Sequence, residues 1–180
     1  MYNIIDQLHL DHINVSKVLN LLDQQCQIMQ TDEAPDYLLI SDILNYFHNY
    51  PDRIHHPKEN AVFEEFLKHH DEIQDTLHDL MAEHRDMVRM TRDLQDVVDS
   101  ILDGAMVAKD SLVQQLADFM DRQKRHMDTE EGRVFPLLRE KLTSADFQNI
   151  DNNLPPKEDP LFGEVVQKQY AALYHHIITL

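Results

Sequence analysis

The chain has few of the residues that end helices or cross-link a fold. Its 180 residues include three glycines, one cysteine and no tryptophan. Because glycine is the residue that most often breaks a helix, so small a number predicts few turns and long helical elements. Cys26 has no second cysteine with which to form an internal disulfide, which favours a reducing compartment. We expect it to be a buried apolar residue of the first helix and not a metal ligand.

Basic residues are scarce beside acidic ones. With 16 Lys and Arg against 33 Asp and Glu, the net charge is −17. Such a charge argues against a nucleic-acid backbone or an anionic membrane as partner. No run of 18 apolar residues occurs, and the N-terminal residues lack the basic and apolar regions of a secretory signal. We therefore expect no membrane span and a cytoplasmic protein.

Apolar residues recur at three- and four-residue steps along four long segments, which is the period of amphipathic helices. The predicted helices run from Asn3 to about Thr31, from Asp36 to Leu67, from Asp71 to Gly104 and from about Ala108 to Leu142. Pro51 and Pro57 should kink or restart the second helix, and Pro136 should bend the fourth. Short connections favour an all-α fold, an antiparallel up-down-up-down four-helix bundle over residues 1–142. Residues 143–160, rich in Pro, Asp and Asn, predict a loop, and residues 161–180 an additional short C-terminal helix packed on the bundle.

Histidine and glutamate form a repeated pattern across these predicted helices. The pattern is His12, the pair His55 and Glu59, then His84 and the pair His126 and Glu130. The lone histidine and the pair are 43 residues apart in the first half and 42 in the second, and an acid precedes each lone histidine. A four-residue step places His and Glu on one helix face, roughly 5–6 Å apart at Cβ. Single pairs arise by chance among twelve histidines, but the doubled pattern on apolar faces predicts a metal site.

The types of ligand restrict the metal. Imidazole and carboxylate without thiolate suit iron, manganese or zinc, and disfavour a structural zinc–thiolate site. Burying Glu59 and Glu130 without partners would be unfavourable by an amount on the order of several kcal/mol, which coordination would remove. Six ligands exceed the needs of one tetrahedral ion. We therefore predict two ions bridged by Glu59 and Glu130, each also held by two histidines, with open positions for O₂, NO, peroxide or solvent.

At these residues the sequence resembles the hemerythrin-like family, the HHE cation-binding domains. The matching segments are His12, His55-His56-Pro57-Lys58-Glu59, Glu83-His84 and His126-Met127-Asp128-Thr129-Glu130, with family-like flanks at Tyr50-Pro51-Asp52-Arg53 and Glu131-Gly132-Arg133-Val134-Phe135-Pro136. The resemblance covers about residues 5–142. It implies a four-helix bundle around two non-haem iron ions, with bridging carboxylates and an oxo or hydroxo bridge. Manganese or zinc remains an alternative to iron.

Two ligand positions stay open. A residue before proline is pushed away from helical angles, so the orientation of His56 before Pro57 does not follow from the spacing. We prefer His55, four residues from Glu59, and keep His56 as an alternative or additional ligand. His9, one turn before His12, is a further candidate for a ligand or for a residue that orients one.

Two functions are compatible with this pattern. The oxygen carriers of the family place a His-x-x-x-His pair on the third helix, whereas Leu80 and Val88 lie four residues from His84 here, so a plain oxygen carrier is not expected. The first hypothesis is a di-iron protein that binds or reacts with O₂, NO or peroxide, in redox or gas sensing, stress protection or iron–sulfur repair. The second is a metal-storage or structural-metal bundle that acts through protein partners. Because no acid–base or nucleophile set is recognisable, no enzymatic activity is inferred. The Glu-x-x-His motif of ferritin-type bundles does not occur.

Overall fold

The computed structural model describes residues 3–31, 33–154 and 158–179, and these residues form helices without any strand. In chain order the helices are α1 (Ile4–Met29), α2 (Tyr37–Asn49), α3 (His56–Leu67), α4 (Gln74–Leu102), α5 (Lys109–Thr129), α6 (Phe135–Lys141), α7 (Ser144–Asn153) and α8 (Ala171–Ile178). Two π-helical turns, Pro51–His55 and Glu130–Val134, and a 3₁₀ turn, Lys168–Tyr170, connect some of them. The expected all-α class is confirmed.

Helix α1 begins where the sequence predicts. The Asn3 side chain accepts a hydrogen bond from the backbone N–H of Asp6, and the Asp6 side chain accepts one from the backbone N–H of Asn3. This reciprocal cap satisfies two backbone donors that the first turn leaves open. One face of the helix is buried, including Cys26, which is 4% exposed. Burial raises the pKa of the Cys26 thiol to about 11, as expected of an inert apolar residue.

The second predicted helix is divided at the prolines. Helix α2 ends at Asn49, the π turn follows, and α3 begins at His56 with Pro57 in its first turn. A proline in a first turn lacks only an N–H that would have had no helical partner. His56 nevertheless has helical angles, φ −58° and ψ −39°, so the expectation that Pro57 would push it away from them is wrong. The wider π turn in front of the proline accommodates its ring without ending the helical path.

The fourth predicted helix has the same construction. Helix α5 ends at Thr129, a π turn spans Glu130–Val134, and α6 begins at Phe135 with Pro136 in its first turn. The predicted disturbance at Pro136 therefore falls just before the proline. Both π turns lie at the predicted metal-binding pairs, and such turns are frequent at functional sites.

The segment after residue 142 departs from the predicted boundaries. Residues 143–160 were expected to form a loop, but α7 occupies Ser144–Asn153 behind a reciprocal cap between Thr143 and Asp146. The predicted C-terminal helix is shorter than expected, because α8 begins only at Ala171. Before it, Asp159 accepts hydrogen bonds from the backbone N–H groups of Leu161 and Phe162, which holds a turn in place of a helix. Residues 155–157 and 180 of the two predicted segments lie outside the described residues.

The buried apolar side chains form two clusters with a gap between them. Along α1 the gap falls at His12, between Leu8 of one cluster and Val15 of the other. Along α4 it falls at His84, between Leu80 and Leu94. Buried histidine and glutamate side chains, among them His12 and His84, fill this gap. None of the helices in the described part of the chain combines the length and apolar character needed to span a bilayer.

Candidate metal centre

All six sequence-predicted ligands are buried in this gap. They come from α1 (His12), the first π turn (His55), α3 (Glu59), α4 (His84), α5 (His126) and the second π turn (Glu130). None of them is more than 5% exposed, and the two glutamates are fully buried. Charged side chains are almost never fully buried unless they are paired or coordinate a metal.

The two glutamates lie in the middle, and imidazole Nε2 atoms surround them. Glu59 has the Nε2 atoms of His55 at 3.0 Å, His12 at 3.2 Å and His84 at 3.3 Å. Glu130 has those of His126 at 3.2 Å, His12 at 3.3 Å and His84 at 3.7 Å. Each carboxylate therefore faces three histidines, and two of these histidines face both carboxylates.

His56 joins the same cluster. Its ring stacks on that of His84, with centroids 4.4 Å apart and planes 10° apart. Ligand atoms of His56, Glu59, His84 and His126 lie within 4.8 Å of one another, and so do those of His12, His55 and Glu59. The structure therefore brings both His55 and His56 to the centre, one to each group, where the sequence left the choice between them open.

His9 lies outside the cluster. Its side chain is 49% exposed, and its Nδ1 lies 3.0 Å from the Glu131 carboxylate. The same carboxylate lies 2.7 Å from Nδ1 of His12. Glu131 thus lies between His9 and the buried His12 and links the two.

Four of the five histidines of the cluster have a hydrogen-bonded oxygen on the outer nitrogen, and His56 does not. Nδ1 of His12 donates to Glu131 (2.7 Å), that of His55 to Asp11 (3.1 Å), that of His84 to Asn60 (2.8 Å) and that of His126 to Glu83 (2.9 Å). For His56 the nearest outer oxygen is that of Asp52, at 3.6 Å. A proton on Nδ1 leaves a lone pair on Nε2, so these partners direct the lone pairs inward.

Sequence reasoning missed these outer partners, although a signal for them exists. The acid before each lone histidine binds the histidine of the following pair, Asp11 to His55 and Glu83 to His126. The residue after each buried glutamate binds a lone histidine of the opposite half, Asn60 to His84 and Glu131 to His12. The two halves of the repeat therefore hold each other in a reciprocal arrangement.

Several inward atoms lack a neutralising partner. Both carboxylate oxygens of Glu130 and Oε2 of Glu59 have no hydrogen-bond partner among the described residues. Nε2 of His84 lies 2.8 Å from Nε2 of His126, a distance at which two lone pairs would repel each other. Facing nitrogen atoms and unbonded buried carboxylates are unfavourable unless a proton or a metal cation lies between them. The residues present therefore fit a metal centre of imidazole and carboxylate ligands.

Comparison with known families agrees with this geometry. The model of the hemerythrin HHE cation-binding domain matches residues 3–138 of the 180-residue chain. The chain belongs to the hemerythrin family. No curated protein and no solved structure matches the sequence. Membership of a cation-binding family and a buried cluster of His and Glu together indicate that this hemerythrin domain binds metal.

The electrostatics of the hemerythrin centre favour positive charge. Burial would lower the pKa of His55, but Glu59 and Asp11 raise it to about 9. Burial would likewise lower the pKa of His126, and Glu130 and Glu83 raise it to about 10. Burial together with the nearby His84 holds the pKa of His56 well below its usual range. Although burial acts to raise the pKa of Glu59, the charge of His55 and hydrogen bonds from the surrounding histidines hold it well below its usual range.

Aromatic rings cover the centre on one side, and a small cavity borders it on the other. Phe135 stacks on His12 at 5.3 Å between centroids, and Phe63 on His84 at 6.3 Å. The space in which the centre of a water-sized molecule can lie has a volume of about 10 Å³. The walls of this cavity include His12, His55, His56 and His126. A surface cavity of about 610 Å³ lies beyond Asp11, but none of the seven clustered residues is among its described walls. A second surface cavity, of about 350 Å³, has His12 and Met127 in its walls, so the small cavity and this one both reach the clustered residues.

Proposed function

We propose that this hemerythrin domain holds two iron ions at Glu59 and Glu130 and uses them to bind or react with a small ligand such as O₂, NO or peroxide. Redox or gas sensing, stress protection and iron–sulfur repair are the roles that such a centre would serve. The observation that carries the proposal is the set of four inward Nε2 atoms around two buried carboxylates, with a fifth imidazole, that of His56, in the same cluster. We further propose that residues 1–142 form the family's up-down-up-down four-helix bundle, with α8 packed on α1 and α2.

The described contacts support an unequal division of the ligands. His12 and His55 form one group with Glu59, whereas His56, His84 and His126 form the other. Glu130 lies beside both groups, at 3.3 Å from His12 and 3.2 Å from His126. In the proposed arrangement both glutamates would hold the ions, and the group with two histidines would have room for a further ligand. The adjacent cavity lies against His12 and His55 of this group, and also against His56 and His126 of the other group.

Bound iron would supply one-electron redox changes and coordination positions for the small ligand. The protein orients the imidazole ligands and limits the access of water and larger molecules to the centre. The outer oxygens keep the imidazoles of His12, His55, His84 and His126 in the tautomer that presents Nε2. Phe63 and Phe135 cover the rings of His84 and His12 and limit the access of water. A cavity with about 10 Å³ for a molecular centre admits something of the size of water, O₂ or NO and excludes larger organic substrates. Manganese or zinc would suit the same donors.

Metal analysis with optical spectroscopy tests this proposal. The full chain, purified without added metal, should contain two irons per chain, and its visible spectrum should change on exposure to O₂ or NO. Glu59→Ala and Glu130→Ala should abolish the iron content and the spectral change, whereas alanine at the exposed Glu140 should leave both unchanged. Sub-stoichiometric iron with no spectral response would contradict the proposal. If the chain contains two irons but its visible spectrum does not change with O₂ or NO, a metal-storage or structural role would be favoured instead.

A further inference from the structure

The small cavity beside the metal centre contains a polar group that the ligand set does not use. Gln123 of α5 lines it together with His12, His55 and Met127. The Gln123 side chain is 2% exposed, and its Nε2 has no hydrogen-bond partner among the described residues. An amide that is buried with an unused donor is destabilising, and such groups are rare in folded proteins.

The internal repeat explains why Gln123 has no imidazole partner. Asp52 lies three residues before His55, and Gln123 lies three residues before His126, so the two are equivalent positions. In the first half Asp52 approaches Nδ1 of His56, the residue that directly follows the pair's histidine. In the second half the residue that follows His126 is Met127, whose side chain has no N–H to donate. Gln123 therefore has no imidazole to orient.

The same comparison explains where the cavity lies. His56 of the first half joins His84 and His126 of the second half. Its counterpart Met127 lies, by the symmetry of the repeat, on the side of His12 and His55, where it lines the cavity in place of a third imidazole of that group. The cavity thus occupies the position at which the second half lacks a ligand, and Gln123 is the polar side chain beside it.

We propose that Nε2 of Gln123 donates a hydrogen bond to the small ligand that enters this cavity. The inference rests on the proposed function and deepens it, because it specifies the ligand by chemistry. The ligand is of diatomic or peroxide size and carries an oxygen or nitrogen lone pair that accepts from the amide. A ligand without an acceptor would leave the amide unpaired and would be disfavoured. Gln123 acts as a positioning and selecting residue, not as a metal ligand.

Nitric oxide is the probe that tests the role of Gln123. The iron-loaded full chain is saturated with nitric oxide without O₂, and the rate of release into a scavenger is measured together with the N–O stretching frequency. Gln123→Met keeps the size of the side chain and removes the donor. We expect release to be about tenfold faster, which corresponds to one hydrogen bond of ordinary strength, and the N–O frequency to shift. Gln114→Met, at an exposed position of the same helix, should change neither.

The metal-free protein provides a readout that does not depend on the ligand. Because Gln123→Met removes an unpaired buried donor, the melting temperature of the metal-free variant should be higher than that of the metal-free wild type. If Gln123→Met does not retain two irons, Gln123→Leu replaces it in both experiments. Equal release rates and equal N–O frequencies in wild type and variant would overturn the role of Gln123 alone. A wild-type chain without iron would overturn the proposed function, so the two failures are distinguishable.

Discussion

Asp11 precedes His12 in the sequence, but its carboxylate binds His55, with Oδ2 of Asp11 3.1 Å from Nδ1 of the imidazole. The same oxygen accepts a hydrogen bond from the hydroxyl of Tyr50, and the other oxygen accepts one from the amide of Gln7. Asp11 is fully buried, so these three donors hold it in one position. Burial acts to raise its pKa, and the bonds from His55 and the other donors outweigh burial and lower it. A fixed, ionised carboxylate of this kind orients its histidine and makes it a stronger ligand.

Asp11→Asn should therefore weaken metal binding without removing a ligand. Loss of the carboxylate charge beside His55 should reduce the affinity by roughly 10–100-fold, the usual range for partners of this type. Chelator competition on the loaded chain measures the change. Glu83→Gln, at the equivalent but 39% exposed position, should have a smaller effect because water can replace the lost acceptor. Equal affinities of wild type and Asp11→Asn would contradict the orienting role.

His56 and His9 should respond differently to glutamine substitution. His56 lies in the cluster and His9 lies outside it, beyond Glu131. We expect His56→Gln to bind one of the two ions much more weakly, since one group of ligands loses its third imidazole. His9→Gln should retain two ions per chain, because that side chain reaches the site only through another residue. Metal content after dialysis distinguishes the two variants, and a chain that loses metal on His9→Gln would show that His9 is a ligand after all.

The spacing of His and Glu made most of the candidate centre predictable, and the reason is geometric. A four-residue step fixes the face on which His55 and Glu59 lie, whatever the rest of the chain does. The placement of His56 was not predictable in this way. It depends on the π turn before Pro57, which changes the angular relation between neighbouring residues. A π turn has no periodicity of its own in the sequence, so the pattern could not reveal that adjacent histidines both face inward.

Helix α7 shows a second limit. Among its residues only Ile150 is buried, so the segment has almost no apolar pattern, and its Asp and Asn content is typical of a loop. What the sequence does contain is the Thr143 and Asp146 cap, which is a helix-start signal at the right place.

The acids Asp11 and Glu83, which bind histidines of the centre, show a third limit of prediction from the sequence. Their positions before the lone histidines are evident in the sequence, but the histidines that they bind lie on other helices. The number of residues between two positions does not give their distance in the fold.

Metal removal should lower the melting temperature of the full chain. Each ion that binds the folded chain alone stabilises it by about 2.7 kcal/mol when free metal exceeds its dissociation constant a hundredfold. For a domain of this size, about 1 kcal/mol shifts the melting temperature by roughly 2–4 °C, so chelation should lower it by roughly 5–11 °C for one ion and by about twice as much for two. Differential scanning calorimetry with and without chelator measures the shift. In Glu59→Ala the chelator should have no effect, and a chelator-dependent shift in that variant would place the stabilising ions elsewhere.

Metal binding should compete with protons. The pKa of His55 is about 9 and that of His126 about 10, so in the ion-free centre both imidazoles are protonated on both nitrogens and positively charged at neutral pH. Ligation requires the neutral ring, so loading at pH 7 should release protons, and affinity should rise with pH. Calorimetric titration in two buffers of different ionisation enthalpy measures the release. Below about pH 6, near the ordinary histidine pKa, the metal should be lost. Retention of both ions at pH 4.5, or loading without proton release, would contradict this competition.

The metal-free chain should show the opposite dependence of stability on pH. A histidine with a raised pKa in the folded state stabilises the fold fully below the unfolded pKa of about 6.5, and the contribution is lost as pH rises through the folded pKa. The pKa values of about 9 for His55 and about 10 for His126 place this loss between about pH 7 and pH 10. Glu59 and Glu130 stay ionised throughout, because the surrounding histidines hold the pKa of each carboxyl below its usual range. The melting temperature of the chelated protein should therefore fall across that interval while that of the loaded protein does not. Parallel curves for the two forms would show that the protonated imidazoles do not replace the cation in the metal-free centre.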